Sequence, residues 1–519
     1  MKQKSRTYNS LINSLIGILS AIGNILINFG IRIAIIHTLG EEINGLHSLF
    51  QSLLSVFAVV ETSMLTAMII HMYEPVKRRD VDTIARMMAL YKRIYVGIAA
   101  FCLAVGGIIC LCMDSIIHST LSRQTVQAYF LVFLTSAIVN YLTYSYRIIL
   151  FAEQKNRISA LATLLSELIF RTGGLIAAWL MGNYVYYLIF MIGEKLCGNQ
   201  ICRLYVRRSY PELDWTGQKY HDPVLKKKIA DTVKPLFVSQ LANVLQNSSQ
   251  SILISMLLGS LAIVGYYGNY QLVMGAVGLM YSQIGAAFTS SFGNLATENN
   301  RKHMYDAYMR TVHLMSMLTI VICTGFLTCI QDFMSVVFGE GFLLSNQTVW
   351  ILTATLFVTL INIPVVSVQN AMGLHRCDVH LMVLQAGLSI LLAYCGGTYF
   401  GIEGILMGML VPLIMFTTIG KGILIQRVAF DSDWISYFAC VLPLVLKGIL
   451  SCCAGGVCCG LIKTGNTVLD ILLKGCLAVV ISMGVVHFTS LTNVWHRRFV
   501  SAVGNRIQTI YRTRVRRGQ

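Results

Sequence analysis

About fourteen apolar runs divide this chain, each close to the ~20 residues a helix needs to cross a bilayer. No other feature restricts the fold as strongly. Lipid offers no partner for a backbone N–H or C=O, so a spanning segment must satisfy its own polar groups. The runs fall near residues 11–37, 45–71, 94–113, 126–151, 158–181, 184–205, 235–258, 261–290, 311–330, 349–372, 379–399, 402–425, 437–462 and 468–490. The sixth is the least apolar, because Glu194 and Lys195 sit inside it. The expectation is an all-α polytopic membrane protein.

Composition agrees: 55% of the 519 residues are hydrophobic and 12% charged, against about 25% charged in an ordinary soluble domain. The first run follows Lys2, Lys4 and Arg6 but continues to Ile36 without a small-residue cleavage site, and so reads as a retained helix. Most of the fifteen cysteines lie inside apolar runs and read as small buried side chains. There is no CxxC pair and no HExxH, so no metal site is expected. The 40 Lys and Arg residues give a net charge of +17. With the N-terminus in the cytoplasm, 32 of them fall in inner segments, two in outer loops (Arg123, Lys463) and six within spans. The charge therefore sets orientation and meets anionic lipid; nucleic acid is not an expected partner.

A turn, "TLGEEINGLHSLFQ" (38–51), interrupts the apolar sequence and has a partner, "LLGSLAIVGYYGNYQ" (257–271). Leu39-Gly40, Gly45 and Gln51 correspond to Leu258-Gly259, Gly265 and Gln271, an offset of 219 that becomes 220 through one inserted residue. Ser20, Asn24 and Asn28 map onto Ser239, Asn243 and Asn247, and the loop "FAEQKNR" ending at Arg157 onto "NAMGLHR" ending at Arg376. Each copy holds six helices, an even number, so the repeat is parallel. The expected organisation is a six-helix bundle over 1–206, a cytoplasmic linker over 207–234, and a second bundle over 235–426. An added helix pair over 427–490 and a basic tail over 491–519, lying on the inner membrane face, complete it.

The first helix of each copy carries a polar stripe. At about 100° per residue Asn13, Gly17, Ser20, Asn24 and Asn28 share one face, as do Ser239, Asn243, Gln246 and Gln250. Such amides either bond neighbouring helices together or line a wet cavity between the copies. On the cavity reading the lining includes Asn24, Asn28, Gln240, Asn243, Asn247 and Gln250. Within the spans Arg32, Arg147, Arg171, Lys195, Lys447 and Lys474 outnumber Glu61, Glu167 and Glu194. Arg147, Lys474 and Arg32 lie near span ends and can snorkel to an interface. Glu167 and Arg171 are four apart and can pair with each other. Arg171 and Glu61 are the deepest. An excess of cations in a low-dielectric cavity favours an anionic substrate, with Arg32 and Arg171 as candidate ligands.

With its "LGEEINGL" turn after a polar first helix, the "AEQKNR" and "AMGLHR" loops and the six-plus-six-plus-two layout, the chain resembles the Wzx-like polysaccharide flippases. Their superfamily also holds multidrug extruders (MATE) and the lipid II flippase. The resemblance covers essentially the whole chain. It implies export of an undecaprenyl-diphosphate-linked oligosaccharide across the bacterial inner membrane by alternating access, for capsule, O-antigen or similar glycan. Polymerases and glycosyltransferases would be its partners. Arginine binds diphosphate by forked hydrogen bonds, and Asn, Gln and Tyr suit sugar hydroxyls. No cofactor is implied; H⁺ or Na⁺ could be coupled through Glu61 or Glu167, and both carboxylates could equally be structural.

Three alternatives compete. A drug extruder of the same fold would want a carboxylate-rich cavity for organic cations. A facilitator-type sugar transporter usually shows a GxxxD-type motif between helices two and three, where this chain reads "YEPVKRRDVDT". A polysaccharide polymerase or lipid-sugar transferase would use a large outer loop, and the longest here is residues 331–348. With no GxxxxGK[ST] loop either, an enzyme is not expected.

Overall fold

The computed structural model describes residues 6–117, 119–212, 223–297, 301–374 and 377–490. The expected basic tail, the middle of the linker and the repeat mark at Arg376 lie outside the described residues. The helices are α1 (Arg6–Leu39), α2 (Glu41–Arg78), α3 (Val81–Leu111), α4 (Arg123–Thr143), α5 (Arg147–Ala152), α6 (Asn156–Met181), α7 (Tyr184–Ser209) and α8 (Pro223–Leu258). They continue with α9 (Leu261–Thr297), α10 (Arg301–Phe338), α11 (Asn346–Ile361), α12 (Ile363–Met372), α13 (Val379–Pro412), α14 (Gly422–Phe430), α15 (Trp434–Gly460) and α16 (Thr467–Thr489). No strand occurs among the described residues.

Eleven helical segments among the described residues are long and apolar enough to span a membrane. The expectation of about fourteen differs at three places, each with a physical reason. Helices α7 and α8 carry charges and amides that take them below the apolarity of a span. Val379–Phe430 counts as one 52-residue segment, yet it reverses at Gly401, whose φ of 62° is non-helical. Around that reversal two helical arms pack backbone to backbone: Gly396 abuts Gly404 and Gly408 abuts Ala393, leaving no room for a Cβ at either glycine contact.

By their contacts the helices form two compact units, Met1–Val273 with Ala386–Met409, and Met274–Gln385 with Leu410–Gln519. In the first, α1 packs on α6, α6 on α7, and α2 on α8. In the second, α15 and α16 clasp α10 through a hydroxyl ladder, Thr324 to Ser451 at 2.8 Å and Ser451 to Ser482 at 3.0 Å. Lys474, expected to snorkel, instead pairs with Asp332 at 2.5 Å. Apolar side chains such as Leu26, Ile108, Leu180 and Phe488 point outward as a lipid-facing surface requires. All fifteen cysteines are free; Cys102, Cys323 and Cys452 are buried as expected, whereas Cys453 and Cys458 are exposed on the outward face of α15.

The repeat recurs in fine detail. Helix α4 breaks after Thr143 and α11 breaks at Asn362, positions 219 apart. At the first break Asn199 donates to Thr143 Oγ1 at 2.8 Å; at the second Asn362 donates to Thr418 Oγ1 at 2.8 Å. Since 143 maps onto 362 and 199 onto 418, one hydrogen bond is kept with its two side chains exchanged. The caps repeat too: Ser122 accepts from Thr125 N–H and Ser345 from Thr348 N–H. Outside the spans, Asp80 caps α3 by accepting from the Thr83 hydroxyl (2.7 Å) and N–H (3.0 Å), which hold its carboxyl below the usual range.

Candidate functional site

The repeated turns meet. Gly40 and Gly259 both adopt positive φ (93° and 60°), ending α1 and α8 alike. Beyond them Gly45 of α2 lies against the Leu261 carbonyl of α9, and a Cβ on Gly265 would lie 3.1 Å from Gly45 N and 3.3 Å from its Cα. Equivalent glycines of the two repeated turns thus touch. Both glutamates of the turn are hydrogen-bonded within the protein. Glu41 accepts from Tyr266 Oη at 2.6 Å, and Glu42 accepts from Ser119 Oγ at 2.6 Å and Thr120 N–H at 2.7 Å.

Below this contact lies a cavity of about 290 Å³ bounded by α1, α2, α8 and α9. Its walls pair positions related by the repeat: Arg32 with Ser251, Ser48 with Gly268, Gln51 with Gln271, Ser52 with Leu272. Asn247, Ser55, Ser248 and Tyr267 complete most of the lining, and no carboxylate is among the described lining residues. Ser55 and Ser248 hydrogen-bond at 2.5 Å across α2 and α8.

Arg32 is the one charge among the described lining residues. Its side chain does not snorkel: the residue is 8% exposed, and Nη1 donates to Asn269 Oδ1 at 2.9 Å. Asn44 donates to the same oxygen at 3.4 Å. The room for Arg32 comes from Gly268, where a Cβ would lie 2.7 Å from Arg32 Nη1 and 2.8 Å from Ser48 Oγ. A guanidinium with a neutral partner, beside a polar cavity, keeps its charge available for an anion.

The remaining predicted residues separate into two groups. In α8, Asn247 lines the cavity, Asn243 is exposed, Gln240 is half-buried, and Gln250 is buried and accepts from Gln271 at 3.2 Å. Asn243 and Asn247 bond back to the carbonyls of Ser239 (3.1 Å) and Asn243 (2.9 Å). Exposed amides mid-helix mark a wet face, since lipid would leave their other polar sites unsatisfied. In α1, by contrast, Asn28 donates to the Asn24 carbonyl at 2.8 Å and accepts from Arg171 Nη1 at 2.9 Å. Asn28 thus bonds α1 to α6.

Arg171 is ion-paired with two glutamates. Its Nε donates to Glu194 at 2.8 Å and its Nη2 to Glu167 at 3.2 Å, so three donors are committed to α1, α6 and α7. A deep arginine four residues from a glutamate has its counter-charge built in, as the sequence spacing of Glu167 and Arg171 implied. Glu194 is 3% exposed and also holds Lys195 at 2.6 Å. Glu61 accepts from Asn140 Nδ2 at 3.5 Å. Arg147, expected to snorkel, is bound by Asn199 Oδ1 (2.7 Å), Ser159 Oγ (2.9 Å) and Thr163 Oγ1 (2.7 Å).

Sequence reasoning missed Ser48, Ser55, Ser248, Asn269 and Gln271 as lining or supporting groups. Gln51 and Gln271 had given a signal, as paired polar ends of the repeated turns. Asn269 gave none, because its repeat counterpart is Leu49.

Comparison with known proteins follows this geometry. The family described as "Polysaccharide biosynthesis protein" matches residues 10–292, more than half of the chain. No curated protein sequence matches it. Among solved structures, a lipid II flippase MurJ in an inward closed conformation aligns with a TM-score of 0.65 at 14% identity, covering 93% of this chain and 100% of that one. A multidrug resistance MATE family transporter of the MOP superfamily, inward-facing, gives 0.61 at 14% identity over 80% and 94%. The bent form of the Vibrio cholerae MATE transporter VcmN gives 0.53 at 16% identity over 82% and 96%. At such identities the likeness establishes a shared fold.

Proposed function

We propose that this chain, which belongs to the polysaccharide biosynthesis protein family, is a flippase for a lipid-diphosphate-linked oligosaccharide. The observation that carries the reading is Arg32: a buried guanidinium with a neutral partner, set in a hydroxyl- and amide-lined cavity beside the repeated turns. A diphosphate supplies the anion that such a group binds, and the serines, glutamines and Asn247 offer donors and acceptors to the first sugars. The lipid tail stays in the bilayer while the six-helix halves, 1–206 and 235–426, alternate their opening.

Undecaprenyl diphosphate is the carrier this reading names, and the bacterial cytoplasmic membrane its location, with both termini inside as the basic loops require. Glycosyltransferases and a polymerase would act before and after it. Glu61 is the better candidate for H⁺ or Na⁺ coupling, because Glu167 is already paired with Arg171. An exporter of organic cations would share the fold, but Arg32 in a cavity without a described carboxylate disfavours a cationic cargo.

Reconstitution in liposomes tests the proposal, with an undecaprenyl-diphosphate-linked glycan placed on one leaflet and an ion gradient imposed or omitted. Protein-dependent appearance of the glycan on the opposite leaflet is expected. Arg32→Gln should slow it at least about tenfold, the loss expected on removing a charge-assisted hydrogen bond. No glycan movement above protein-free liposomes would sink the reading, and full activity of Arg32→Gln would remove Arg32 from it.

A further inference from the structure

A second cavity, of about 150 Å³, lies wholly inside the first compact unit, away from Arg32 and bounded by α4, α6, α7 and the break between α4 and α5. We propose that it binds a small monovalent anion of the chloride class, seated between Arg147, Ser166 and Lys195 in the space that Gly198 leaves open.

Four observations converge on that ligand. First, the charged groups in the wall are Arg147, Lys195 and Glu194. Both Glu194 oxygens are occupied, Oε1 by Lys195 at 2.6 Å and Oε2 by Arg171 at 2.8 Å. Arg147 is held by an amide and two hydroxyls, which orient a guanidinium without neutralising it. One positive charge in the wall is left without a contacting carboxylate, a costly arrangement at membrane depth.

Second, Ser166 Oγ is buried, in a residue 1% exposed, and makes no hydrogen bond within the protein. An unused buried hydroxyl forfeits free energy that a ligand acceptor would recover. Third, both donors face one point beside Gly198: a Cβ built there would sit 3.2 Å from Arg147 Nη2, 3.3 Å from Ser166 Oγ and 3.6 Å from the Ala162 carbonyl oxygen. A glycine in mid-helix costs about 1 kcal/mol relative to alanine, and here its missing side chain makes the seat.

Fourth, size and sign restrict the occupant. The volume takes an ion and a few waters, at roughly 30 Å³ for each water, and falls below the ~300–1,000 Å³ of sites for drug-sized ligands. A metal cation would face the like charges of Arg147 and Lys195. The internal rivals for the anion are Glu167 of α6, within electrostatic reach of Arg147 and Lys195, and Glu61 of α2, which approaches the wall through Asn140 at 3.5 Å. Replacing the Glu61 carboxylate by an amide removes its repulsion and should tighten the anion.

Thermal unfolding of the purified full-length protein in detergent, at constant sodium with chloride exchanged for gluconate, provides the test. Chloride should raise Tm saturably. Arg147→Gln and Gly198→Ala should each raise the half-maximal chloride concentration at least about tenfold, as loss of a charge-assisted hydrogen bond predicts. Gly198→Ala fills the seat with every charge kept, so it decides the matter if Arg147→Gln fails to fold. Glu61→Gln should lower the half-maximal concentration, and Arg32→Gln should leave it unchanged. In bromide-grown crystals an anomalous peak should fall between Arg147 and Ser166. Equal chloride responses in wild type and Gly198→Ala, no response in either, or a response lost only in Arg32→Gln would overturn the proposal.

Discussion

Arg32 depends on a single missing methyl group. With Gly268 replaced by alanine, the new Cβ would lie 2.7 Å from Arg32 Nη1 and 2.8 Å from Ser48 Oγ, so the guanidinium must leave its place beside Asn269. Gly268→Ala should therefore cut glycan movement in liposomes at least about tenfold, the scale of one charge-assisted contact. Gly275→Ala, on the same helix with nothing within 4 Å of its Cβ, should be silent. Equal activity of the two variants would show that the position of Arg32 is irrelevant to transport. At this scale the sequence was half legible. A charge in an apolar run announces itself, so Arg32, Arg171 and Glu61 could all be singled out. Which of them faces a cavity could not be read, because a partner 143 residues away (Asn28 for Arg171) or 237 away (Asn269 for Arg32) leaves no local pattern.

The α13 hairpin shows what short-range pattern hides at the scale of elements. Its two arms appear in the sequence as runs 379–399 and 402–425, separated by "FG" with no polar turn. The reversal works because Gly401 accepts a positive φ and because Gly396, Gly404 and Gly408 let the backbones touch. Gly404→Val would drive a branched side chain into the Gly396 carbonyl, an overpacking that costs about 1–3 kcal/mol or more. A fall in Tm of the detergent-solubilised protein should result, whereas Gly387→Ala on the same helix, with nothing within 4 Å, should leave Tm unchanged. Proline gave partial warning of the break before α12, since Pro364 stands in its first turn. The equivalent break after α4 has no proline; it could be found only by carrying the repeat offset from Asn362 back to Thr143.

Over the whole molecule, the repeat was the most informative thing the sequence held, since matching turns 219–220 residues apart implied an axis before any contact was known. Gly45 against Gly265 and the paired cavity walls bring the two repeated turns together beside the Arg32 cavity. The walls are nonetheless unequal: Arg32 stands opposite Ser251, and Ser48 opposite Gly268, so one copy supplies the charge and the other the room for it. Transport by alternation of the halves requires helices from opposite copies to separate along this seam. Ser55 of α2 and Ser248 of α8 hydrogen-bond at 2.5 Å, so cysteines at both positions would bring their sulfurs within bonding reach. Oxidised Ser55→Cys/Ser248→Cys protein should lose glycan movement in liposomes, and dithiothreitol should restore it. Each single cysteine variant, carrying the fifteen native thiols but not the pair, should respond to oxidant as wild type does. Full transport by protein shown to be cross-linked by mass spectrometry would mean that α2 and α8 move as one body, and that the opening lies elsewhere.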